Sequence, residues 1–201
     1  MADSSQMDFW EQRYKEGVTP WEGASFPDVA RRFFREAPPG RLLLPGCGGA
    51  GDMPELMAAG HEVLAIDFSE AALAHARSRW PNLSDKLLLK DFFKLEQPAF
   101  DYVFERAFLC ALPIKMRMEY SVKMASLIRP GGLLAGVFFV AASDRGPPFG
   151  IAESELEALV GKWFSLEFEQ SLPDGLPVFR GMERWMVWKR RSVDLDQAFA
   201  V

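Results

Sequence analysis

The stretch from Arg41 to Asp67, RLLLPGCGGAGDMPELMAAGHEVLAID, constrains the fold more than any other part of the chain. A short apolar run (41–45) enters a loop with glycines at 46, 48, 49 and 51. A helical stretch follows from about Asp52 to Ala59, and a second apolar run (62–66) ends on an acid, Asp67. Runs this apolar and this short suit strands buried on both faces, the condition of a parallel sheet. Parallel neighbours need a crossover, which the intervening helix supplies. The glycines allow positive φ where strand turns into helix, and they leave the backbone open to close approach by a ligand.

The same alternation continues. A helix is expected from Ser69 to about Arg79, with further strands at 86–89, 100–104 and 133–140. Between the last two, Pro113 to Ile128 suits a helix that starts on a proline and stops before Arg129-Pro130-Gly131-Gly132. After Gly150 come a helix (152–161) and strands at 163–170 and 182–189. Ahead of the first strand lie helical stretches at about 8–16 and 27–36, separated by Thr19-Pro20-Trp21. The pattern predicts an α/β fold with a doubly wound, mostly parallel seven-stranded sheet, Rossmann-like, covered on both faces. One domain is expected over 1–201, with a helical extension (1–40) before a core (41–190). Its ligand should lie at the carboxyl ends of the first, second and fourth strands.

At 201 residues the chain suits one well-buried domain. A net charge of -5 argues against holding nucleic acid through its phosphates. The basic run Lys189-Arg190-Arg191 reads as the solvated end of a strand before a polar tail. Two cysteines, Cys47 and Cys110, and two histidines, His61 and His75, offer no metal-ligand spacing, so no metal is expected. The cysteines read as small buried fillers. They need no oxidant, no run approaches the roughly 18 apolar residues of a membrane span, and the N-terminus lacks a signal pattern. A cytoplasmic location without a membrane partner is the expectation. Nothing in the sequence sets the oligomeric state, and a monomer suffices.

Asp67, about twenty residues beyond Gly46, sits where a carboxylate can accept the hydroxyls of an adenosine ribose. The loop and this acid indicate a nucleoside cofactor without separating NAD from S-adenosylmethionine. Three features favour the latter. Asp91 and Phe92 follow the third strand, placing a carboxylate and a ring where adenine should lie. The Tyr-x-x-x-Lys pair of a short-chain dehydrogenase is missing, since Tyr120 and Lys123 have the wrong spacing. Arg129-Pro130-Gly131-Gly132 matches a turn usual before the fifth strand of methyltransferases, although it serves equally as a helix stop.

The opening DFWEQRYKEGVTPWEGASFP, the segment LLLPGCGGAGDMPELMAAGHEVLAIDFSEAAL, the segment FDYVFERAFLCALP and the GPPF at 146–149 together resemble the thiopurine methyltransferase family, including its plant halide and thiol methyltransferase branch. The likeness runs from about Phe9 to Trp188. It implies a class I methyltransferase that takes S-adenosylmethionine and releases S-adenosylhomocysteine. By the same resemblance Trp10, Tyr14 and Trp21 cover the cofactor, Gly46 and Gly48 contact it through the backbone, Asp67 holds the ribose, and Phe68 also belongs to the cofactor site. Asp91 and Phe92 read adenine, while Arg106 lies beside the methionine portion or the acceptor. Three positions depart from the family pattern: Ala50 replaces the loop's usual third glycine, Glu105 a more usual aspartate, and Ala107 a glycine or threonine. The last two bear on the acceptor.

Methyl transfer from a sulfonium is an in-line displacement, and a soft nucleophile requires no strong base. A small-molecule acceptor, most simply the sulfur of a small or aromatic thiol, is therefore expected, with Glu105 and Arg106 as the candidate catalytic residues on the acceptor side. Glu105 and Arg106 also read as a structural ion pair at the sheet edge. Two alternatives stay open: an O- or N-methyltransferase using Glu105 as base, and a cofactor-binding protein without catalysis. Trp10 and Tyr14, four residues apart, share one face of the first helix. They are expected to close with Trp21 over the cofactor as a lid.

Overall fold

A computed structural model of the chain describes residues 3–143, 145–172, 175–179 and 181–192. Two helices, α1 (Met7–Lys15) and α2 (Asp28–Glu36), precede β1 (Arg41–Pro45). Then follow α3 (Met53–Ala58), β2 (Glu62–Asp67), α4 (Glu70–Arg79), β3 (Leu87–Leu89) and β4 (Phe100–Arg106). The second half holds α5 (Arg117–Leu127), β5 (Ile128–Phe139), α6 (Glu153–Gly161), β6 (Phe164–Leu172) and β7 (Glu183–Arg190). The strands form one sheet in the order β3-β2-β1-β4-β5-β7-β6. The first five run parallel, and β7 pairs antiparallel with both β5 and β6. The order reverses between β1 and β4, which opens a crevice at their carboxyl ends.

Alternate side chains of the central strands feed two cores. Leu43, Val103, Leu134 and Phe138 pack with Tyr120 and Met124 of α5 and Leu156 and Val160 of α6. Leu42, Leu44, Phe104 and Val137 pack on the other face with Phe34 of α2, Met53 of α3 and Leu73 of α4. This is the doubly wound arrangement expected of strands buried on both sides. Local signals set several boundaries. Ser69 caps α4, its hydroxyl accepting from the Ala72 N–H at 3.1 Å.

Four local expectations change. The helix expected from Pro113 starts as a 3-10 turn (Ile114–Met116) and becomes α-helical only at Arg117. Arg129-Pro130-Gly131-Gly132 lies inside β5 instead of before it. The pairing steps from Phe100↔Ile128 to Tyr102↔Leu133, so the Pro-Gly-Gly segment loops out of a ladder that continues on both sides. Gly131 takes φ +77° there, and a Cβ on Gly132 would approach the Asp101 carbonyl oxygen to 2.8 Å. Arg190 is not a solvated strand end. It is buried, and its guanidinium donates to the carbonyls of Ala125 and Trp163 at the far end of the sheet. The polar tail expected beyond it lies outside the described residues. Finally, the N-terminal extension divides in two: α1 has no buried residue, whereas Phe26, Val29, Ala30 and Phe34 bring α2 into the core.

Phe34 is fully buried among Phe33, His61, Tyr102, Phe104 and Trp185. Phe34→Ala should therefore reduce stability by about 3–5 kcal/mol, read as a lower urea midpoint at unchanged slope. A loss below about 1 kcal/mol would mean that α2 is a surface attachment.

Candidate active site

At the carboxyl end of β1 the chain turns through Gly46 (φ +56°), Gly48 (φ +51°) and Ala50 (φ +52°). A Cβ on Gly46 would come within 2.4 Å of the Phe108 ring, and one on Gly48 within 2.2 Å of the Tyr14 hydroxyl. Only glycine fits both the dihedral and the space at these two positions. Ala50 takes the left-handed conformation with a side chain, and so does Ala107 at φ +59° after β4. Two of the three departures noted above thus fall where the backbone favours glycine, at roughly 1–2 kcal/mol each.

The loop is tied to the next strand by Asp67. Its Oδ2 accepts from the Gly48 N–H and its Oδ1 from the Ser69 N–H, both at 2.9 Å. The carboxylate is buried, and loss of solvation raises its pKa against the lowering effect of these N–H groups. Asp91, after β3, accepts from the Phe93 N–H at 3.0 Å and lies 3.3 Å from the Lys94 ammonium.

Residues 3–25 close over this crevice. The Trp10 and Trp21 rings meet edge-on at 5.4 Å, and Tyr14 and Trp21 at 6.1 Å. The Trp21 indole N–H donates to the Tyr14 hydroxyl (3.0 Å), which donates to Glu22 Oε1 (2.8 Å). The same Glu22 oxygen accepts from the Gly49 N–H at 2.7 Å, and its other oxygen lies 3.3 Å from His75 Nε2. Glu11 caps α4 from outside, accepting from the Ser69 hydroxyl (2.8 Å) and the Ala71 N–H (3.0 Å). Burial first, and the Glu22 charge second, push the Tyr14 pKa far up, so the phenol remains a donor at any ordinary pH.

These elements enclose a cavity of about 390 Å³. Trp10, Tyr14, Trp21, Gly46, Asp67, Phe68, Asp91, Phe92 and Arg106 all line it. Gly48 lies behind the wall, against Asp67 and Tyr14. Phe108, Cys110, Leu112, Pro147, Pro148, Val178 and Phe179 form the remaining apolar side, which includes two prolines of the 146–149 segment. Burial raises the thiol pKa values of Cys47 and Cys110 well above the usual range, so neither is poised as a thiolate. No group of three or more His, Cys, Asp or Glu among the described residues is placed to hold a metal.

Glu105 and Arg106 do not pair with each other. Arg106 Nη1 lies 2.8 Å from Asp52 Oδ1, and Nη2 donates to the Ser25 carbonyl at 3.3 Å. Glu105 is buried and stands outside the cavity wall. Its Oε1 accepts from the N–H groups of Phe108 (2.8 Å) and Leu109 (2.9 Å), while Oε2 has no partner. Burial pushes its pKa up to about 7.

A family model, thiopurine S-methyltransferase (TPMT), matches residues 5–191. The chain belongs to this family. It is accordingly an S-adenosylmethionine-dependent methyltransferase. Among the family's relatives, a probable thiol methyltransferase 2 of Arabidopsis thaliana is 31% identical over 196 residues, covering 91% of this chain and 85% of its own. A thiopurine S-methyltransferase of Vibrio cholerae is 27% identical over 175 residues, covering 76% and 79%. The fold is shared more widely. The magnesium protoporphyrin IX methyltransferase of Synechocystis with bound S-adenosylmethionine superposes with a TM-score of 0.74 at 16% identity, covering 94% of this chain and 98% of that one.

Glu11, Arg13 and Glu22 went unassigned at the level of sequence. They fall inside the aromatic lead-in, but single charged residues, two on an exposed helix and one beyond it, carry no periodic signal. Val178 and Phe179 were equally silent, because only the return of the chain before β7 brings them to the cavity.

Because Glu105 holds its proton up to about pH 7 in the fold and only to about 4.5 when unfolded, the folded state binds the proton more tightly. The contribution is present at low pH and is lost as pH rises through 7. Wild-type stability relative to Glu105→Gln should fall by about 2–3 kcal/mol between pH 5 and pH 8. Urea unfolding of both proteins at the two pH values checks this, and parallel pH profiles would contradict it.

Proposed function

We propose that this enzyme transfers the methyl group of S-adenosylmethionine to the sulfur of a small or aromatic thiol, or to a comparably soft anion. The observation that carries this reading is Glu105. The acid at the carboxyl end of β4 stands outside the cavity wall, with one oxygen accepting from two backbone N–H groups. An acceptor that must lose a proton in the transition state would lack a positioned base there, whereas a thiolate arrives already ionised. The relatives named for thiol and thiopurine methylation point the same way.

The residues fit the cofactor. Asp67 lines the cavity beside a loop whose glycines leave no Cβ in the way, which suits it to accept the two ribose hydroxyls. Asp91 and Phe92, also in the wall, are assigned to adenine on this reading, with Phe68 beside Asp67, and Trp10, Tyr14 and Trp21 line the cavity from the N-terminal segment. When bound, S-adenosylmethionine supplies a methyl carbon made electrophilic by the sulfonium. The protein's task is then alignment and exclusion of water. Three aromatic rings favour a cation without the tight hold of a carboxylate, so the positive charge is free to disappear as transfer proceeds. Glu105 shapes the acceptor side by holding the turn from Ala107 to Cys110 in place. The segment ahead of Phe26 acts as the lid of a single domain. The unpaired thiols Cys47 and Cys110 suit the reducing cytoplasm. Among the described residues no helix is long and apolar enough to cross a membrane.

Two measurements test this reading. Asp67→Ala should weaken S-adenosylhomocysteine binding at least about tenfold by calorimetry, and unchanged affinity would remove Asp67 from the site. Labelled-methyl transfer to hydrosulfide, iodide and aromatic thiols should proceed, with Glu105→Gln staying within about threefold of wild type at pH 8. A rate loss of about 10²–10⁴ would instead make Glu105 a general base.

A further inference from the structure

Among the described residues, one partly buried cation in the cavity wall has no ion pair. Arg106, whose Nε is also buried without a hydrogen-bond partner, is neutralised by Asp52, and the Lys94 ammonium lies beside Asp91. Lys90 also lines the cavity, but it is exposed and hydrated. Arg13 is different. It reaches the cavity from α1 with its guanidinium carbon 4.5 Å from the centroid of the Phe9 ring, and its Nε is buried without a hydrogen-bond partner. The nearby carboxylates are engaged elsewhere: Glu11 with Ser69, Ala71 and Lys15, Glu22 with Tyr14, Gly49 and His75, Asp67 with Gly48 and Ser69. Stacking on Phe9 suits the charge but leaves the buried Nε–H unanswered, and a buried donor without an acceptor is unfavourable. A planar fork of donors at the wall of a mostly apolar cavity is suited to an anion.

We propose that Arg13 is a specificity-determining residue that holds the negative charge of the methyl acceptor, so that acceptors are taken as anions. This rests on the methyl-transfer reading above. In the transfer, a lone pair of the anion forms the new bond to the methyl carbon. The carbon–sulfur bond of the sulfonium breaks with its electron pair remaining on that sulfur. Both formal charges vanish, no proton moves, and no oxidant or further reactant is needed. The anion therefore loses charge toward the transition state, and the hold of Arg13 slackens as the reaction advances. Arg13 contributes to binding and not to lowering the barrier. Its loss should raise KM for an anionic acceptor while kcat stays level or rises.

The test uses the full chain as wild type, Arg13→Gln and Arg13→Lys. Each is titrated first with S-adenosylhomocysteine and then, as that complex, with iodide by calorimetry; steady-state rates follow with iodide and hydrosulfide. Glutamine is a good helix former, so α1 should persist, and the lysine variant keeps the charge. The proposal expects S-adenosylhomocysteine affinity within about twofold of wild type in both variants. Iodide affinity should fall at least about tenfold in Arg13→Gln and recover in part in Arg13→Lys. KM should rise in step for both anions at constant kcat. Unchanged iodide affinity in Arg13→Gln overturns the proposal. So does a fall in S-adenosylhomocysteine affinity alone, which would assign Arg13 to the cofactor's carboxylate. Failure of the wild type to bind S-adenosylhomocysteine would instead sink the methyltransferase reading itself.

Discussion

The buried carboxylate of Asp67 joins the parts on which everything else depends. One oxygen holds the loop that leaves β1 and the other holds the start of α4 after β2, so two neighbouring crossovers are locked at the point where the sheet changes direction. A charge buried this deeply is unfavourable by itself. Two backbone N–H groups and the positive end of α4 offset that burden. The same contacts hold Gly48 in its left-handed turn, and that turn leaves the room into which the Tyr14 hydroxyl fits. The acid expected to receive the ribose therefore also builds the seat of the lid.

The lid is held differently from the rest of the molecule. Where α2 buries Val29, Ala30 and Phe34, α1 buries nothing and is fastened by carboxylates: Glu11 on the first turn of α4 and, beyond the helix, Glu22 on the glycine loop. Polar fastenings at a solvent boundary exchange readily with water, which suits the lid role proposed for this segment. Its inner face carries the rings and Arg13, which complete the cavity wall.

How much of this was legible beforehand follows from what generates a periodic signal. The runs 41–45 and 62–66 are apolar at nearly every position, and the sheet uses them as buried central strands. The glycine loop and Asp67 were visible because few backbones need that combination. The looped-out Pro-Gly-Gly of β5 was not, since proline and glycine mark a turn equally well before a strand or within one. Arg190 misled for a related reason: a basic triplet looks solvated, yet alternation along β7 puts its middle member under the sheet, against backbone carbonyls. Glu105 and Arg106 were marked together by adjacency, but successive strand residues point to opposite faces. One therefore props a turn from below while the other lines the cavity. Glu11, Arg13 and Glu22 are single charges whose partners are brought near only by the tertiary fold.

On the reading proposed above, bound cofactor orders the glycine loop that Asp67 holds together with the N-terminal segment seated on that loop and on α4. Hydrogen exchange on residues 8–25 and 46–51, measured with and without S-adenosylhomocysteine, tests it most directly. Both segments should gain protection on binding while α2 and the central strands stay as they were. Equal protection of both segments in the two states would show that the lid is permanent core and would contradict it.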